Sequence, residues 1–185
     1  AGMSRLTAVP NADVPELQSI FEAAESMMGF VPNDGLIMAH QPHILKAFLG
    51  LVQAIYRSGR VDDGLKRLIG LVASSTAGCR YCQAHAANAA RDHSVPIEKI
   101  RSVWAFENSS LFSDAEKAAL RLAMKASMVP NETTDADFDL LKQFYDDGQI
   151  IEMLSVISMY GFLNRWNATL DTDLEAVPAE FMNEL

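Results

Sequence analysis

An all-α domain is what this sequence predicts, on three observations. Apolar residues recur three and four positions apart along most of the chain. Valine and isoleucine nowhere alternate with polar residues for long enough to make a strand. The segments are bounded by residues that start and stop helices: serine, threonine and aspartate before them, glycine after them. The length, 185 residues, is that of one domain. A single domain over 1–185 is therefore expected, with about eight helices and irregular tails at 1–12 and 173–185.

The first helix is expected from Asp13 or Pro15, with Leu17, Ile20, Phe21 and Ala24 on one face and Gly29 as its stop. Phe30 to Gly35, FVPNDG, reads as a loop because proline and Asn-Asp-Gly are turn residues. The second helix runs from Pro42, a residue suited to a first turn, to Ser58. Asp62 or Asp63 caps the third, whose apolar positions are Leu65, Leu68, Ile69, Val72 and Ala73. Ala77-Gly78 interrupts it, and an alanine-rich helix begins near Cys79 and ends near Asp92 or His93. Pro96 opens a short helix to Phe106. Ser113 and Glu116 have the spacing of a capping box, in which the two residues satisfy each other's backbone N–H, ahead of a helix to Ser127. Another starts at Thr134 or Asp135 and stops before Gly148, and the last long helix spans Gln149 to Asp171. From Asp173 the chain is acidic and contains Pro178, which reads as irregular.

Composition narrows the function classes. The 15 basic and 24 acidic side chains leave a net charge of -9. Nucleic-acid binding, which depends on basic side chains neutralising phosphates, is disfavoured. The most apolar stretch, 150–163, is broken by Glu152, Ser155 and Ser158, short of the roughly 18 apolar residues a membrane span requires. It reads as a buried or interfacial helix with more apolar surface than one core-facing stripe needs, so a second chain is expected to cover the excess. No apolar leader precedes Pro10, and a soluble cytoplasmic protein is the expectation.

The two cysteines, Cys79 and Cys82, cannot form the framework of a disulfide-stapled domain and need a local explanation. At a helix start they lie one turn apart on nearly the same face, with Cβ atoms roughly 5–6 Å apart. A small adjustment brings them to the disulfide separation of about 3.8 Å. Unpaired N–H groups and the positive end of the helix dipole depress a thiol pKa there, and Arg80 adds positive charge. His85, one turn beyond Cys82, is within reach of the second sulfur as a base or as a cation. The pattern points to a thiol-redox site. A zinc site would need a fourth ligand from His40, His43 or His93, and two small buried cysteines without a role are the other alternative. A thioredoxin-type fold would place a strand before the motif, where this chain has a helix. His40, His43 and His93 otherwise read as ordinary helix-end or surface histidines, and Trp166, among Asn164, Arg165 and Asn167, as packing or as a wall near the thiols.

Leu65 to Asn88, LKRLIGLVASSTAGCRYCQAHAAN, resembles the core of the AhpD-like alkylhydroperoxidases within the carboxymuconolactone decarboxylase superfamily. GFVPN at 29–33, LFSDAEKAAL at 111–120 and GFLNRWN at 161–167 are similar to segments of its peroxidase-related members. The resemblance implies an AhpD-like helical bundle, assembly as a homo-oligomer, and thiol-dependent reduction of hydroperoxides without a bound cofactor. It implies that Cys82 attacks and Cys79 resolves the product as a disulfide. An external thiol or disulfide reductant, such as a peroxiredoxin system, is then the partner. The chain departs from the family pattern at two positions. Histidine stands at 85 rather than at 86, which is Ala86, and Arg67 occupies the place of a glutamate that completes a proton relay. Arg67, Arg80 and Glu107 are therefore candidates for tuning the thiol or binding substrate. A decarboxylase- or isomerase-like enzyme acting on a small organic acid or lactone is the alternative, with Arg67 holding a carboxylate and His85 moving a proton.

Overall fold

Helix α4, Asp63–Ala77, is the axis of the structure, and most of its residues are buried, from Gly64 to Ser74 with the exception of Arg67. This computed structural model describes residues 3–10, 13–57 and 59–185, and it contains ten α-helices and no strand among them. Around α4 pack α5 (Arg80–Asp92), α7 (Asp114–Ala126) and α9 (Asp147–Leu170). A second apolar cluster, centred on Leu17, Phe21, Met38 and Leu45, joins α1 (Gln18–Met28), α2 (Asn33–Met38) and α3 (Pro42–Arg57). The remaining helices are α6 (Ile97–Arg101), α8 (Asp135–Leu141) and α10 (Ala176–Glu184). No described helix is long and apolar enough to cross a membrane.

The expected starts are made by the expected residues. The Asp62 carboxylate accepts the Leu65 N–H at 3.0 Å. Ser113 with Glu116 and Thr134 with Asp137 form complete capping boxes. At Gly70 the helices approach so closely that a Cβ would collide with the Tyr160 ring of α9. Lys66, only 1% exposed, crosses the interior to donate to the Ile55 carbonyl at 2.9 Å and to pair with Glu152 at 3.3 Å.

Five expectations change, the first being that the helix expected from Thr134 or Asp135 to just before Gly148 stops at Leu141. Ser58, the expected stop of the helix from Pro42, lies outside the described residues, and the helix is described to Arg57. The loop expected at 30–35 holds only to Pro32, because α2 begins at Asn33. Asn33 and Asp34 occupy a first turn, where free N–H groups favour polar and acidic side chains, and burial of Ile37 and Met38 offsets the cost of Gly35. The segment after Pro96 divides into α6 and a 3-10 turn, Val103–Asn108, that bends at Ala105. The tail expected to be irregular from Asp173 forms α10. Pro178 falls in its first turn, where a missing N–H costs no hydrogen bond. Phe181, 1% exposed, docks the helix on α5 with the Arg91 guanidinium 4.4 Å above its ring.

Candidate active site

The turn between α4 and α5 builds the site. Gly78 adopts φ +73°, which ends α4, and its N–H donates to Ser75 O at 3.0 Å. The Cys79 N–H then donates to Ser74 O at 3.1 Å, leaving Cys79 extended as the N-cap of α5. Its sulfur does what a serine oxygen does at other helix starts and accepts the Cys82 N–H at 3.3 Å. Both cysteines are free thiols, 2% exposed, with sulfurs 2.6 Å apart in a shared hydrogen bond.

That arrangement divides the two thiols. The hydrogen bond from Cys82 holds Cys79 below the ordinary thiol range, against the opposing effect of burial. Cys82, the partner that keeps the proton, is pushed far up by that same bond, by burial and by the adjacent Cys79 charge. The Asn167 amide of α9 counters this by donating to the Cys82 sulfur at 3.6 Å. The asymmetry favours negative charge on Cys79 over Cys82.

A polar network surrounds the pair. His85 Nε2 lies 2.6 Å from Glu175 Oε2, and Glu175 Oε1 accepts the Tyr81 hydroxyl at 2.6 Å and the Asn33 N–H at 2.5 Å. The His85 ring stacks on Tyr81 at 4.3 Å and meets the edge of Phe30 at 5.6 Å. Burial pushes the Glu175 carboxyl up, but the bonds from His85, Tyr81 and Asn33 outweigh it and leave it below its ordinary value. Glu175 is the N-cap residue of α10. It belongs to the tail whose helix was not expected, and it supplies a buried carboxylate partner for the histidine.

Asp34 is the second carboxyl. Its Oδ1 accepts the Gly35 N–H at 2.7 Å and its Oδ2 the Asn167 Nδ2–H at 3.3 Å. The Tyr81 hydroxyl lies 3.4 Å from the Asp34 N–H, which donates to it. Burial raises its pKa against the lowering effects of His85 and Asn167.

Of the residues singled out in the sequence, Cys79, Cys82 and His85 come together, although among the described residues His85 bonds Glu175 and neither sulfur. The remaining candidates lie elsewhere. The Arg67 guanidinium sits 3.7 Å over the Tyr56 ring, with Nη2 3.4 Å from His93 Nε2, and it bonds neither thiol. Glu107 forms a two-pronged pair with Arg121 at 2.8 and 2.5 Å, so it is not the carboxylate of the histidine relay. Arg80 is exposed on the first turn of α5. His40 bonds Thr7 O and His93 bonds Ala89 O, both at 2.8 Å. Among the described residues no group of three or more His, Cys, Asp and Glu side chains is placed to hold a metal ion. Sequence reasoning missed Tyr81, Asp34 and Glu175. Asn167 carried a signal, an amide on a mostly apolar helix, and it is this residue that reaches Cys82.

Residues 42–125 match the carboxymuconolactone decarboxylase family. The whole chain is similar to the debrominase Bmp8, solved as a cysteine-to-alanine variant in complex with 2,3,4-tribromopyrrole, at 34% identity and a TM-score of 0.91 over 98% of each chain. An AhpD-core, peroxidase-related protein from Ralstonia eutropha JMP134 shares the fold, at 21% identity and a TM-score of 0.87 over 96% of this chain and 95% of that one. The uncharacterized protein YdfG of Bacillus subtilis is 25% identical over 112 residues, covering 60% of this chain and 74% of its own. The helical architecture with paired thiols at a helix start is an AhpD-like fold, and the chain belongs to the carboxymuconolactone decarboxylase superfamily.

Proposed function

We propose that this protein is a thiol-dependent reductase that removes a halogen from a small halogenated heteroarene and closes Cys79 and Cys82 into a disulfide. The observation that carries the reading is a buried dithiol, sulfurs 2.6 Å apart, in a chain 34% identical over 98% of its length to a debrominase. The chemistry is two-electron. A proton adds to the ring carbon that bears the bromine, and the Cys82 thiolate attacks the bromine. The C–Br bond breaks, its electron pair restores the aromatic ring, and an S–Br bond forms. Cys79 then attacks the Cys82 sulfur, the S–S bond forms and bromide leaves. The ring exchanges C–Br for C–H, the two thiols are oxidised, and one of their two protons ends on the ring and the other in solvent. An external thiol restores the pair.

The dithiol supports a second reading, reduction of a hydroperoxide. Cys82 attacks the terminal oxygen, the alcohol leaves, and Cys79 converts the sulfenic acid to the disulfide with release of water. This step needs the same two sulfurs and no ring acid. A decarboxylase- or isomerase-like reaction on a small acid or lactone would need neither sulfur pairing nor an external thiol.

The test gives the protein an excess of small dithiol and supplies either 2,3,4-tribromopyrrole or cumene hydroperoxide, following bromide release and peroxide loss. Catalytic bromide release is expected, and Cys82→Ser is expected to lower it at least about a thousandfold. Peroxide turnover without bromide release would replace the first reading by the second. Undiminished bromide release by Cys82→Ser would end the mechanism.

A further inference from the structure

We propose that Asp34 is the acid that protonates the ring carbon, an assignment that rests on the dehalogenation reading. A cavity of about 130 Å³ lies between α1, α2 and α3, with walls that include Phe21, Met28, Met38 and Phe48. Asp34 is the one ionisable residue among those that line it. On its far side, Asp34 shares a single amide with the nucleophile. Asn167 Nδ2 stands 3.3 Å from Asp34 Oδ2 and 3.6 Å from the Cys82 sulfur. An apolar pocket therefore ends at a carboxyl, and the thiol that takes the halogen lies one side chain beyond. A small apolar ring held there meets the acid at the end of the pocket, with the sulfur that takes the halogen on the other side of the Asn167 amide.

The neighbouring groups are committed to other partners. Glu175 accepts from Tyr81 and Asn33 and is paired with His85. Burial favours the neutral form of Asp34, so the carboxyl is able to act as a donor rather than as a second anion beside Cys79. In the reaction the Asp34 O–H bond breaks as the ring C–H bond forms. The carboxylate is recharged by one of the two protons that the thiols give up on becoming a disulfide. The Asn167 amide, bonded to both groups, fixes the distance between the proton donor and the sulfur.

The experiment compares wild type with Asp34→Asn, a near-isosteric change that removes the acid and keeps a carbonyl oxygen for the Gly35 donor. Two rates are measured on each: bromide release from 2,3,4-tribromopyrrole, and loss of free thiols on mixing the reduced protein with hydrogen peroxide. Bromide release is expected to fall at least about a hundredfold, with thiol oxidation within about threefold of wild type, since peroxide attack needs no ring acid. Bromide release at the wild-type rate would overturn the assignment and leave the dehalogenation reading standing. Loss of both rates would show that Asp34 only holds the thiols in place, which also overturns it. Absence of bromide release from wild type itself would remove the dehalogenation reading, and the assignment with it.

Discussion

Glu175 and Asp34 are two carboxyls of one site with opposite consequences for stability. Burial pushes Glu175 up, but the His85, Tyr81 and Asn33 donors bring its folded pKa below the ordinary 4.5. A depressed carboxylate contributes stability that is fully present above its unfolded pKa and is lost as pH falls through the folded value. Glu175→Gln should therefore destabilise the protein by about 3 kcal/mol at neutral pH, and its deficit against wild type should shrink as melts are taken down through the carboxylate range. A deficit independent of pH would contradict this account. Asp34 has the other sign. Its pKa is raised above 3.8, chiefly by burial, so its charge costs stability as pH rises through and above that value. Asp34→Asn is expected to raise Tm at neutral pH, by about 2–4 °C for each kcal/mol relieved, and to confer no gain in acid. Of these residues only the thiols and His85 are legible in the sequence, because their spacing is local. Asp34 and Glu175 stand 141 positions apart in numbering, and no periodicity links residues that only tertiary packing brings together.

Most helices were readable because caps and apolar spacing agree, and the two helices that were not expected at all escaped for one reason. Residues 33–38 and 176–184 carry turn-forming residues, Gly35 in one and Pro178 in the other, and are helical because tertiary burial outweighs local preference. In α2 the buried residues are Ile37 and Met38, and in α10 Phe181 is the anchor. Both helices carry a site carboxyl at their first turn or cap, so these two unexpected helices are the ones that complete the polar network. The contact of α4 with α9 tests the packing directly. Gly70→Ala places a methyl group against the Tyr160 ring, which is 6% exposed. Overpacking of this kind costs about 1–3 kcal/mol, a loss of several degrees in thermal unfolding. Gly70→Ala should lower Tm even though alanine is the better helix former; an unchanged or raised Tm would mean that α9 shifts away freely.

At the scale of the whole molecule, α9 has no single polar face. Its inner residues Met153, Val156 and Tyr160 fill the core, while Ile151, Leu154 and Phe162 are 60%, 37% and 44% exposed. They do not stand alone, because Ile44 and Leu51 of α3 are 44% and 51% exposed beside the same groove. The Phe48 and Phe162 rings stack 5.1 Å apart across it. A contiguous exposed apolar surface of this kind marks a site of association. A second copy of this chain is the expected occupant, since the excess apolar face of this helix, already evident in the sequence, lies on an element every copy presents. Two-fold pairing would bring each groove against its own equivalent without leaving an open edge. Sedimentation at micromolar concentration should therefore give a mass above the 20.3 kDa of one chain. The double variant Leu51→Asp, Ile151→Asp should reduce it to that of one chain with the helical content retained, because both residues face away from the core. Wild type sedimenting as a single chain at that concentration would leave the groove without its expected partner.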